Sequence, residues 1–114
     1  MATGTISNIL KDEYDIVFAS GFTNGTHEVI QIANKLIINF NLLSTSNVSS
    51  GTVLASLKKN GVNHNASKTC QSLMISADLS KYSKANIDAN SYNITTTSNL
   101  TANARYYTTL IVYV

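Results

Sequence analysis

The sequence predicts an all-β fold: an antiparallel two-sheet β-sandwich or jelly roll of about eight short strands, with no significant helix. Three observations predict it. Apolar and polar residues alternate with period two, most clearly in Leu36, Ile38, Phe40 and Leu42 against Asn39 and Asn41. Such runs recur roughly every 8–14 residues between turn-forming clusters, the spacing of sandwich and barrel strands. No stretch carries a helical apolar period, and the chain contains no proline. A closed barrel is the alternative arrangement of the same strands.

The elements follow in order. Residues 1–13 are polar and weakly patterned and are expected to be a leader or the remnant of a stem connection. Residues 14–114 form the β domain. Tyr14 to Ala19 alternates into a first strand, stopped by Ser20-Gly21. Thr23-Asn24-Gly25-Thr26 is a turn, because Asn and Gly accept positive φ at little cost. His27 to Ile32 and Leu36 to Leu43 are strands around a tight turn at Asn34-Lys35. Ser44 to Ser50 is a polar loop, Thr52 to Leu57 a strand, and Lys58 to Lys68 the longest loop. Thr69 to Asp78 is a strand, and Lys81-Tyr82-Ser83 lies in the connection after it. Ile87 to Ile94 is a hairpin around Asn90-Ser91.

The last strand, Ala104 to Val114, presents Tyr106, Thr108, Leu110, Val112 and Val114 on one face. Tyr107, Thr109, Ile111 and Tyr113 lie on the other. Both rows are rich in β-branched and aromatic side chains, so the strand is expected to be covered on both faces or central to a sheet, and the close of a finished module.

The chain has 114 residues, of which 44% are hydrophobic and 12% charged, with a formal net charge of +2. This is one domain, long enough to bury about 65% of its unfolded surface without disulfides or metal. The basic residues are scattered, so neither a nucleic-acid stripe nor a polybasic membrane patch forms. No apolar run approaches the ~18 residues of a membrane helix. Polarity comes from Asn, Ser and Thr, a surface suited to sugars and other neutral partners; the plain alternative is the ordinary needs of turns and strands. Cys70 is the single cysteine and reads as a buried, inert thiol.

Little in the chain signals catalysis. His27 and His64 belong to no metal-ligand spacing, and no metal or other cofactor is expected. Asp12, Glu13 and Asp15 are the sole acidic cluster, with no aromatic-flanked pair of the kind a glycosidase holds across its cleft. No nucleophile elbow, phosphate-binding loop or dinucleotide fingerprint is present. Carbohydrate binding has one aromatic candidate, Tyr82 between Lys81 and Lys84; packing over a sandwich edge is the plainer role for that ring.

Several stretches together resemble the C-terminal head domains of phage tail-fibre and baseplate receptor-binding proteins. These are Ile16 to Gly25, Val29 to Leu43, Ser49 to Leu57, Ile87 to Ile94, and Leu100 to Ala104 leading into the closing strand. The sequence departs from the pattern at Lys58-Lys59-Asn60, where a proline-containing segment is usual, and at Ser91, where Gly is usual. The resemblance implies a homotrimeric, non-enzymatic head on the virion tail tip that adheres to a host cell-surface glycan.

If the loops alternate strictly between two ends of the sandwich, the end facing the host carries Asn24, His27, Asn47, Lys81, Tyr82 and Asn99. These six are the expected ligand-binding residues. A purely structural trimerising cap, a tumour-necrosis-factor-like or complement-C1q-like jelly roll, and a small glycan-degrading enzyme are the competing readings.

Overall fold

The computed structural model describes residues 13–23 and 25–114. The expected leader, apart from Glu13, and Asn24 lie outside the described residues. Ten strands form: β1 (Tyr14–Phe18), β2 (Phe22–Thr23), β3 (His27–Ile32), β4 (Lys35–Ser44), β5 (Val53–Lys59), β6 (Val62–Asn63), β7 (Cys70–Ser76), β8 (Tyr82–Ile87), β9 (Asn93–Thr96) and β10 (Arg105–Tyr113). No helix occurs among the described residues, and every pairing is antiparallel. The all-β antiparallel class read from the sequence is the class that forms.

The ladder is one continuous path, β1-β5-β9-β8-β7-β10-β4, with β2 and β3 both paired to the far edge of β4 and β6 to β5. It nearly closes into a barrel. Two places are thin. Between β7 and β10 only Tyr106↔Ser76 and Tyr107↔Ile75 are in register. Between β3 and β1, the two ends of the path, side chains make the contact: His27 Nε2 lies 2.6 Å from Asp15 Oδ1, and the rings of Phe18 and His27 meet edge to face at 5.7 Å. A division into two leaves would fall at these two places.

Period-two alternation builds the core. β4 is buried at Leu36, Ile38, Phe40 and Leu42, and β10 at Tyr106, Leu110 and Val112. These pack with Ile16, Leu54, Leu57, Met74, Ile87 and Ile94 from the opposite wall. Six such side chains at roughly 1.5–3 kcal/mol each would outweigh any surface contact in the molecule.

The connections sort to two ends, as strict alternation predicts. Loops 45–52, 77–81 and 97–104 gather at one end, tied by Val48–Leu100 backbone bonds in both directions, by Asn103 N–H to Ser44 O and by Ala77 N–H to Arg105 O. This is called the Asn99 end. At the other, the Asn34 end, Ala66 N–H donates to Ser91 O, Ser67 N–H to Tyr113 O and Val114 N–H to Asn34 O.

Three sequence expectations change and a fourth narrows. Gly21 (φ 98) makes the reversal after β1, while the expected Thr23–Thr26 turn is an interruption between two strands lying on one partner, β4. Gly25 is required there because an added Cβ would sit 2.8 Å from Asn41 O and 3.1 Å from the Phe18 ring. The expected long loop after Lys58 begins as a two-residue hairpin, Asn60-Gly61, with both φ positive (50 and 81) and Lys59 opposite Val62. Tyr82 opens strand β8 rather than lying in a connection. Of the two arrangements expected for the last strand, β10 takes the central one, covered on one face only: Tyr107 and Ile111 are both 44% exposed. A single barrel wall has one core, so the outer row of even its middle strand meets solvent.

Candidate functional site

The outer face of β3, β4 and β10 carries the most developed polar site. Facing residues of an antiparallel ladder point to the same side of the sheet. Tyr107 faces Asn41, and Thr109 faces Asn39, which in turn faces Glu28. The side chains bond across the strands, Arg105 diagonally because its own rung partner is Leu43. Arg105 Nη1 donates to Asn41 Oδ1 at 2.7 Å, and Asn41 Nδ2 donates to Thr26 Oγ1 at 2.6 Å. One step along, Thr109 Oγ1 donates to Asn39 Oδ1 at 2.5 Å, and Asn39 Nδ2 to Glu28 Oε1 at 3.2 Å.

Two fixed chains of polar groups therefore run across three strands, with the Tyr107 ring between them on β10. All of these groups except Arg105 line an open groove of about 510 Å³ with His27 and Phe40. Glu28 brings a carboxylate to the groove lining, while Arg105 holds Asn41 from beyond that lining. His27 is held by Asp15, whose Oδ1 also accepts the Ile16 N–H at 2.9 Å. Among the described residues no three His, Cys, Asp or Glu side chains gather to hold a metal ion. Chemically, the groove can accept and donate neutral hydrogen bonds around one aromatic face.

The six residues expected from the sequence are partly dispersed. Asn47, Asn99 and Lys81 share the Asn99 end. Asn47 Oδ1 accepts the Ala102 N–H and Asn99 Oδ1 the Ser50 N–H, both at 2.9 Å, so these amides brace neighbouring loops. Lys81 reaches Ser80 Oγ, and its own N–H is taken by Ser76 Oγ. Close by, Asp78 accepts from the hydroxyls of Ser76 and Ser80 and from the Ser80 N–H. These bonds hold its carboxyl well below the ordinary value of 3.8. Tyr82 and His27 are on the outer wall instead, and of the five described residues His27 alone lines the main groove. Asn24 is outside the described residues.

Sequence reading missed Asn39, Asn41, Tyr107, Thr109, Arg105 and Glu28 as a site. Asn39 and Asn41 were visible as the polar row of β4, and Tyr107 and Thr109 as the second row of the last strand. Nothing local says that these rows are neighbours, because Arg105 and Asn41 are 64 residues apart. Compared with known proteins, the chain matches no family model, no curated protein and no solved structure.

Proposed function

We propose that this chain is a non-enzymatic host-adhesion head, borne on a phage tail tip or baseplate as a homotrimer, which binds a saccharide of the bacterial surface. The observation that carries the reading is the exposed Tyr107 set between two side-chain-bonded chains of amide, hydroxyl, carboxylate and guanidinium groups. Such a face offers an apolar platform for a sugar ring and fixed partners for its hydroxyls. Because the polar groups already hold one another, little ordering remains to oppose binding. The groove is open, which suits a segment of polymer better than an enclosed metabolite. The resemblance of Ile16 to Val114 to phage heads supports the biological setting. Trimerisation would offset weak single-site affinity by raising the effective concentration of linked sites.

A second reading, a structural trimerising cap without ligand, is favoured by one observation. Toward the Asn34 end the same wall becomes apolar, with Ile30 facing Ile37 and Ile37 facing Ile111. Binding of labelled protein to bacterial surface polysaccharide, combined with light scattering, separates the two. The adhesion reading expects saturable binding, reduced roughly tenfold by Tyr107→Ala, and a mass near three times 12.3 kDa. A trimer with no polysaccharide binding would leave the cap reading in place and end the adhesion reading.

A further inference from the structure

The groove is one end of a longer feature. Tyr107 faces Asn41 on one side and Ile75 on the other, and Ile75 faces Tyr82. Asn41 is tied to Thr26 by backbone and side chain alike. Tyr82, Ile75, Tyr107 and Asn41 therefore make one outward rung across four consecutive strands, continued by Thr26 just before β3. With neighbouring strands about 4.8 Å apart, the two tyrosine Cα positions are about 10 Å apart, and the rung with its Thr26 continuation spans about 19 Å. Tyr82 is 58% exposed, with half-buried Ile75 as a low apolar saddle between it and Tyr107.

Tyr82 is also set in place. Its hydroxyl donates to Leu79 O at 3.0 Å, which restrains the ring while leaving much of it in solvent. Two exposed aromatic rings spaced by about two linked pyranose units, followed by a polar groove, match the repeat of a linear polysaccharide. They match a single sugar or a branched terminus poorly, since neither reaches both rings. We propose that the ligand is an extended, unbranched glycan lying across the strands. Tyr82 and Tyr107 stack on rings separated by one unit, and the next unit enters the groove at Asn41, Thr26 and His27. This rests on the saccharide-binding reading and assigns Tyr82 a role beyond that groove.

The test is a length series: linear β-1,4-linked glucose and N-acetylglucosamine oligomers of two to six units, titrated calorimetrically into the full chain. Affinity should climb with each added unit until about four or five and then level off. Tyr82→Ala should bring tetramer affinity down to that of the dimer, about tenfold, while leaving the dimer unchanged. Tyr82→Phe, which keeps the ring and loses only the bond to Leu79, should retain the length dependence and guards against a folding artefact. A tetramer that binds no better than a dimer, or a length dependence that survives Tyr82→Ala, overturns the track but not the groove. Absence of binding across the series removes the saccharide reading and this extension together. A fall in molecular mass on Tyr82→Ala would assign the face to a second copy of the chain and also overturn the track.

Discussion

The two halves of the β3–β4–β10 wall share strands and a core, yet their outer faces differ. Toward the Asn99 end the outward rows are Arg105–Asn41–Thr26 and Thr109–Asn39–Glu28, bonded side chain to side chain. Toward the Asn34 end they are Ile111–Ile37–Ile30 and Tyr113–Lys35–Ile32, with Ile30 and Ile32 42% and 53% exposed. Inward residues show no such change: Leu36, Ile38, Phe40 and Leu42 are buried along the whole of β4. The core therefore sets the strands, and the outer row is free to differ. One half presents bonded polar groups and the other a largely apolar surface.

The largest effect expected should not distinguish the halves. Leu110→Ala, beneath their junction, should cost about 3 kcal/mol in urea unfolding. Its outward neighbour Ile111→Ala should cost under about 1 kcal/mol. Comparable losses at the two positions would mean that the outer face is covered in the folded chain and that the contrast drawn above is wrong.

Next in size is the functional split. Tyr107→Ala should weaken saccharide binding roughly tenfold with oligomer mass unchanged. The double change Ile30→Ser with Ile111→Ser should do the reverse, lowering the mass seen by light scattering while single-site affinity holds. Loss of both properties in either variant would erase the division of labour.

Much of this wall was legible in the sequence and its assembly was not. The alternation of β4 gave its inward row correctly, that of β10 gave its two rows without saying which faces the core, and His27 to Ile32 was placed to the residue. β8 was harder, because its inward row includes Ser83 and its buried positions include Asn86. Their partners, Thr96 for Ser83 and both Gln71 and Asp88 for Asn86, become evident only after pairing. The Asn60-Gly61 turn was a readable hairpin signal inside a stretch assigned to loop. The site itself was hidden for a topological reason: its rungs join β3, β4 and β10, and β10 reaches β4 only after the rest of the chain has gone round.

Smaller effects should mark the two ends. At the Asn34 end Ala33 holds φ 56 in the turn between β3 and β4. Ala33→Gly relieves that left-handed conformation and loses chain entropy, so a net gain of about 0.5 kcal/mol is expected in thermal unfolding. Destabilisation there would show that the methyl group packs. At the Asn99 end the depressed carboxyl of Asp78 adds stability that is present above its unfolded value of 3.8 and is lost as pH falls through its lower folded value. The Tm difference between wild type and Asp78→Asn should thus be full above about pH 4 and shrink toward about pH 2. A difference that stays constant across that range would exclude the carboxylate as its source.

The missing ladder between β1 and β3 has a mechanical consequence. β1 has a backbone ladder on one side alone, to β5, through five consecutive pairs from Tyr14↔Lys59 to Phe18↔Ala55. A pull entering at Glu13 and directed away from the Asn34 end runs along these strands. It loads all five pairs together in shear, whereas a sideways pull would peel them one at a time. The side-chain clasp of His27 and Asp15 can yield without breaking that ladder. Hauled along its strand axis, the domain would keep its groove and its core intact while the seam beside them opens and recloses.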